Sequence, residues 1–307
     1  MFKTKQTALK RIESGLDFMD ERFDIFRDDV EVAMAAICKN GWAYENISDR
    51  LKLDEDLATL AVSKNGMVLS VVPELLRHNR DIVACALCSD GRALQYTLMR
   101  DREDENMVHI ACKSKGEAIR YAHAKFTDHK EIMMLAVSSS DIAYHYASDS
   151  LKHDRELALK SVSANGTTLA IVHDQFKDDK EVVMASLKTF PNAIKHASYR
   201  LKCDREVGTK AILENPETLQ HLGHSLKDDK KFVLFALQTG GAYLIKYASD
   251  DLKELVKGKP ILETLQWAIE KEKNQAITDS VKEAVKEDPS LKTAPKFPEV
   301  KNAWISR

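Results

Sequence analysis

Two cysteines three residues apart, Cys85 and Cys88, are the first candidates for chemistry in this 307-residue chain. A C-x-x-C pair can bind zinc or run thiol–disulfide exchange. Zinc needs further ligands, and redox use needs a helix N-terminus that acidifies one thiol. Both cysteines instead fall in mid-helix, at repeat positions held elsewhere by Ala35, Leu135, Ser63 and Ser138. The expectation is packing, because a buried free cysteine behaves as a small hydrophobe. His123, His173 and His224 recur about 50 residues apart at equivalent places. Stacked helices add about 8–10 Å per layer, so two repeats separate these histidines by roughly 16–20 Å, too far for one metal ion. They are expected to cap turns or lie on the surface. There is no G-x-S-x-G, no glycine-rich phosphate loop and no H-E-x-x-H. No catalytic residue, metal site or cofactor is predicted, and the chain is not read as an enzyme.

A second set of residues suits binding. Tyr96, Tyr121, Tyr146, His196, His221 and Tyr247 form one column along the chain, interrupted by Ile171. Such a ladder could grip a peptide. The favoured reading is a second packing row beside Leu94, Ile119 and Tyr144, because an aromatic at helical spacing is usually core, and a tyrosine can do both. The column just before it is hydrophilic and variable: Glu45, Ser70, Gln95, Arg120, His145, Lys195 and Gln220. A solvated face needs no function, yet selectivity would be written there. The predicted partner-binding residues are Tyr96, Arg120, Tyr121, His145, Tyr146, Lys195, His196 and His221.

These columns exist because the chain repeats. Glu31, Asp56, Asp81, Asn106, Glu131, Glu156, Glu181, Glu206 and Lys231 stand 25 residues apart. The next position is always apolar. Five positions on the residue is always Ala or Ser, as in Ala36, Ala136 and Ser186, and an apolar residue follows. An unbroken period of this length marks a stacked-repeat protein. Ile132, Ala136 and Val137 lie on one helix face. Asp29, Asp54, Asn79, Asp104, Asp154, Asp179, Asp204 and Asp229 occupy helix N-cap positions. The helix ends at Asn40-Gly41, Asn65-Gly66, Asp90-Gly91 and Asn165-Gly166, where glycine is expected to turn left-handed. Pro191 and Pro216 stop it in two other repeats. A second, shorter apolar pattern follows, and Leu51, Leu76, Phe126, Leu151, Phe176, Leu201, Leu226 or Leu252 closes the unit. Repeat 3 has Asp101 instead.

The predicted fold is all-α: an α-solenoid of nine 25-residue two-helix repeats over residues 28–254, right-handed and monomeric. Residues 1–27 should cap the N-terminus, with Leu9, Ile12, Leu16 and Met19 apolar. Residues 255–287 should cap the C-terminus, including two closing helices at 260–273 and 275–287. Residues 288–307 read as a flexible tail. Odd repeats tend to place serine (Ser48, Ser148, Ser198, Ser249) where even ones tend to have histidine there or beside it (His123, His173, His224), an alternation with no evident reason in the sequence.

Composition narrows the function further. Lys+Arg number 46 and Asp+Glu 48, so nucleic acid, which demands a basic stripe, is disfavoured. No window of about 18 apolar residues exists to span a membrane. The opening MFKTKQTALKRIESG lacks a signal-peptide core. Five cysteines without such a signal imply reduced thiols in a cytoplasmic setting.

The unit D-x-E-V-x-x-x-A-V…N-G-x-A-L-x-Y-A-S…L-K resembles the repeat called domain of unknown function 4116, most closely at 154–166 and 192–206. The resemblance implies no catalytic motif. It implies a host-facing setting, since the repeat looks like one found in secreted effectors of intracellular bacteria, in protists and in large DNA viruses. The expected function is a non-enzymatic interaction scaffold, a virulence effector secreted without a signal peptide that binds a host protein or peptide in the host cytosol. The alternatives are an enzyme or modifier with its site at the C-terminal cap and, less favoured, a nucleic-acid binder.

Overall fold

Each repeat begins with a capped helix. The side chains of Asp29, Asp54, Asn79, Asp104, Asp154, Asp179, Asp204 and Asp229 accept hydrogen bonds from first-turn N–H groups. In repeat 5 His129 takes this place, its Nδ1 accepting from the Ile132 N–H at 3.5 Å. The structure, a computed structural model, describes residues 4–16, 18 and 20–287. Repeats 1 to 9 start at residues 29, 54, 79, 104, 129, 154, 179, 204 and 229. The first helices are ten residues long, as at Val30–Lys39 and Lys130–Ser139, and that of repeat 9, Lys230–Gly240, has 11. Each packs on the α-helix of the next repeat within its compact unit. The small column is buried throughout, from Ala36 to Ala236. No strand occurs among the described residues, and the fold is the expected all-α repeat solenoid.

The second element differs in detail from an α-helix. It is a 3-10 helix of five or six residues, as at Gly91–Tyr96, Gly116–Tyr121 and Pro191–His196. A third element follows, a single turn such as Met99–Arg102 or Tyr199–Lys202. A 3-10 helix stacks side chains three apart. That suits Ala93, Leu94 and Thr97, which are all buried.

The breaker glycines work otherwise than expected. Among the described residues only Gly15, Gly241 and Gly258 have positive φ. The preceding Asn40, Asn65, Asp90 and Asn165 are extended, and each caps the 3-10 helix with its side chain. Glycine is required by the neighbouring repeat. A Cβ on Gly91 would lie 2.1 Å from the Ala111 carbonyl oxygen, and one on Gly116 would lie 1.9 Å from that of Ala136. The small column and the glycine column are therefore two halves of one close contact. Where Asp141 or Pro191 replaces glycine, the 3-10 helix packs less extensively on the next α-helix.

The structure also accounts for the serine alternation. Ser48, Ser148, Ser198 and Ser249 donate to Asp28, Asp128, Asp178 and Asp228 in the preceding turn. The same serines accept from the N–H of the closing leucine three residues on. Where histidine stands instead, the partner changes too. His173 faces His153, their ring centroids 4.1 Å apart, and His123 Nε2 lies 4.0 Å from Glu103.

A ladder of ion pairs, not anticipated from the sequence, links successive repeats. Arg80 reaches Asp104 at 2.6 Å, Lys130 reaches Asp154 and Glu156, Arg155 reaches Asp179 and Glu181, and Lys180 reaches Asp204 and Glu206. Each cation thus binds the cap residue of the next helix. Exposed pairs of this kind contribute little to stability singly, roughly 0–1 kcal/mol.

The chain forms two compact units, Met1–Glu214 and Asn215–Arg307. In the first, helix Lys5–Glu13 packs on Val30–Lys39 and buries Ala8 and Ile12, while Phe18 and Phe23 add a ring contact at 5.3 Å. Leu9 and Leu16 are half-buried, and Met19 lies outside the described residues. In the second, one continuous helix, Ile261–Glu287, replaces the two expected closing helices. Asn274 and Gln275 carry neither the fixed φ of proline nor the freedom of glycine, so nothing breaks it there. The tail assigned to 288–307 lies outside the described residues.

Candidate functional site

In repeats 3, 4, 5, 7, 8 and 9 the last residue of the 3-10 helix carries the aromatic column, and the residue before it carries the variable one. Tyr96, Tyr121, Tyr146 and His196 end their 3-10 helices and are all half-buried. Arg120, His145 and Lys195 are exposed. Position and burial thus separate the two columns, one ring edge beside one solvated side chain. Through repeats 2 to 7 each 3-10 helix touches the next, which brings the columns into one continuous face. The Arg120 guanidinium lies 5.1 Å from the centre of the Tyr121 ring, a cation–π contact that holds both side chains. His221 and Tyr247 end the 3-10 helices Pro216–His221 and Ala242–Tyr247 of the second unit, where Lys246 sits 4.8 Å from the Tyr247 ring.

The electrostatics of this face are uneven. Asp90 is held by Arg92 at 2.7 Å, and that hydrogen bond keeps its carboxyl below the usual carboxylate range against the opposing pull of burial. Glu117 also faces Arg92, at 3.7 Å. Asp141 accepts from the Asn165 side-chain amide at 3.0 Å. Among the described residues none forms an ion pair with Arg120, His145 or Lys195. The carboxylates bordering the face are therefore already engaged, and these three basic side chains are not.

The cysteine and histidine candidates separate from this face. Cys85 is half-buried, and burial, then the nearness of Cys88, pushes its thiol up. Cys88 is exposed, so the packing expectation fails for it: its position, shared with Ser63, points off the helix to solvent. Cys112, unremarked as chemistry, is buried, and burial pushes its thiol up to about 12. No group of three or more His, Cys, Asp or Glu able to hold a metal ion occurs among the described residues. His123 and His173 cap their turns through Nδ1, accepting from the Lys125 and Gln175 N–H groups. At the C-terminal cap Lys231, Glu272 and Lys273 surround Ile269 and Ala276 in an open hollow, with Lys230 bonded to Glu272 at 2.7 Å. No described helix is long and apolar enough to cross a membrane.

The closing position of repeat 3 is the residue that sequence reasoning noticed without weighing. Asp101 is 1 % exposed, and neither carboxylate oxygen has a hydrogen-bond partner. Arg100 Nε lies 3.8 Å away. Its signal in the sequence was the break in a column otherwise held by Leu or Phe.

A helical repeat array with a recurring surface column is the class these features define. The chain belongs to the family described as Domain of unknown function (DUF4116), whose model matches residues 29–77, 54–100, 104–152, 129–177, 179–216 and 204–253. The longest matches each span two 25-residue units, so the family module is a pair of the repeats defined here. Searches of curated proteins and of solved structures gave no match.

Proposed function

We propose that this chain is a non-enzymatic interaction module that takes a protein or peptide along the 3-10 face of repeats 3 to 7. The observation that carries this reading is the pairing, in repeats 4, 5 and 7, of a half-buried aromatic ring with an exposed variable side chain, on a run of 3-10 helices each touching the next. A half-packed ring is already ordered, so it can anchor a ligand at low entropic cost. Interfaces concentrate their energy in such anchors, with polar neighbours setting selectivity. Following the family resemblance, the proposal extends to a monomeric effector that acts on a host protein in the host cytosol after secretion.

The test compares what the intact chain and its Arg120→Ala/His145→Ala variant retain from a eukaryotic lysate, read by mass spectrometry. Both residues are exposed, so the variant should melt like the parent while losing the retained partner. Tyr121→Ala should reduce both binding and stability. A double variant that folds normally and retains the same proteins in the same amounts would place the partner elsewhere.

A further inference from the structure

Near-zero net charge conceals a division of charge between the two faces of the repeats. The α-helix starts carry an exposed acidic row, Glu31, Asp56, Asp81, Glu131, Glu156, Glu181 and Glu206. The 3-10 column from 95 to 195 reads Gln, Arg, His, Ala, Lys and holds no carboxylate. On the acidic row the carboxylates Glu156, Glu181 and Glu206 meet the ladder cations Lys130, Arg155 and Lys180. On the 3-10 face the situation is reversed. The bordering carboxylates Asp90, Glu117 and Asp141 are taken by Arg92 and Asn165, leaving Arg120, His145 and Lys195 without ion pairs.

We infer that the ligand of this face is an extended acidic segment of another protein, with an apolar side chain at about every third residue. The inference rests on the interaction reading above and adds the chemistry of the partner. Carboxylates of the segment would meet Arg120, His145 and Lys195, and its apolar side chains would lie against Tyr96, Tyr121 and Tyr146. The spacing follows from geometry. Packed helices lie about 8–10 Å apart, and an extended polyproline-II chain rises about 3.1 Å per residue with about three residues per turn, so one repeat corresponds to about three residues and every third side chain shares a face. Charge complementarity of this kind steers encounter and selects the partner more than it adds raw affinity.

The test measures fluorescence anisotropy of the intact chain with a labelled peptide of five Asp-Glu-Val triplets, in which the valines share one face of a polyproline-II chain. A Lys-Lys-Val peptide of equal length and a fifteen-nucleotide oligo-uridine are the competitors. The acidic peptide should bind about tenfold or more tightly than the basic one, weaken with salt, and lose about tenfold on Arg120→Glu/Lys195→Glu with an unchanged melt. Acidic-peptide binding that survives the charge reversal, or no binding of it at all, overturns the inference. If the basic peptide binds instead and Tyr121→Ala weakens it, the acidic partner is wrong while the interaction face stands. Tighter binding of the oligo-uridine overturns both.

Discussion

Repeats 3 and 7 are built on the same plan and close in opposite ways. In repeat 7, Ser198 donates to Asp178, Arg200 reaches the same carboxylate at 3.0 Å, and Leu201 is wholly buried. In repeat 3, Leu98 stands in place of the serine and His78 in place of the aspartate. Arg100, at the position of Arg200, donates to the His78 carbonyl at 2.7 Å. Asp101 then occupies the leucine's position with both oxygens buried and without a hydrogen bond, its one ionic contact the Arg100 Nε at 3.8 Å. A buried polar group without partners costs free energy, and a charged one costs more. The comparison teaches that the repeat tolerates a bad closing residue because its neighbours carry it. The α-helix of repeat 3 is as well buried as any other, with Ile82, Val83, Ala86 and Leu87 at 1 % exposure or less.

Making repeat 7 resemble repeat 3 should have the largest effect. Leu201→Asp removes a buried leucine and adds an unpaired carboxylate, and should cost about 3–5 kcal/mol. Urea unfolding would show it as a lower midpoint. A midpoint equal to the parent's would mean that the closing column carries no load, and the contrast between the two repeats would lose its energetic content.

The reverse exchange should stabilise. Asp101→Leu restores the column in repeat 3 and should gain about 1–4 kcal/mol, the range seen when buried polar groups give way to well-packed apolar ones. Because repeats couple chiefly to their neighbours, the gain should appear as slower amide exchange across repeats 2 to 4. Destabilisation by Asp101→Leu would show that the contact with Arg100 outweighs the cost of burying the carboxylate.

Glycine draws the next distinction. Repeat 3 has Gly91 and repeat 7 has Pro191 at the same position. Gly91→Ala places a Cβ 2.1 Å from the Ala111 carbonyl oxygen and should cost about 1–3 kcal/mol through overpacking. A thermal melt unchanged by Gly91→Ala would break the argument that the glycine and alanine columns form one contact.

Much of this was legible in the sequence, and the unread part has a common cause. Asp and Asn caps, the small column and the closing leucines act within one repeat or recur at fixed spacing, so their chemistry shows locally. The glycine's partner lies 20 residues ahead, and the serine's partner aspartate lies 20 residues behind, across the boundary at which the eye divides the repeats. The 3-10 winding was hidden for another reason: six residues are too few to tell a period of 3.0 from 3.6. The split between half-buried Tyr121 and exposed Arg120 was readable from residue types alone. The engagement of Glu117 and Asp141 was not, because it depends on which side chains approach across the array.

Ser198→Ala should have a smaller effect, because it removes the cap of one short turn. The serine accepts from the Leu201 N–H and donates to Asp178, and its loss should cost about 0.5–2 kcal/mol. Leu98→Ser in repeat 3 should recover little of this unless His78→Asp supplies the missing acceptor. The two changes together should exceed the sum of each alone, and strict additivity would show that serine and aspartate do not act as a pair.

The smallest expected difference concerns acid. Arg80 of repeat 3 pairs with the cap residue Asp104, and Lys180 of repeat 7 pairs with the cap residue Asp204. Both carboxyls lie below the usual range, for different reasons. For Asp104 the Arg80 hydrogen bond is the largest influence. For Asp204 burial pulls upward, and the Val207 N–H and Lys180 together outweigh it. A carboxyl lowered by folding contributes stability that is present above its unfolded value and is lost as pH falls through its folded value. Both contacts should therefore weaken only below about pH 4, near the unfolded aspartate pKa. In a carboxyl-carbon NMR titration, Arg80→Gln should raise the Asp104 midpoint more than Lys180→Gln raises that of Asp204, since Arg80 is the largest influence on Asp104 whereas the Lys180 hydrogen bond acts on Asp204 less than that of the Val207 N–H does. Equal shifts would mean that the two junctions are held alike, and that the ion-pair ladder does not distinguish repeats 3 and 7.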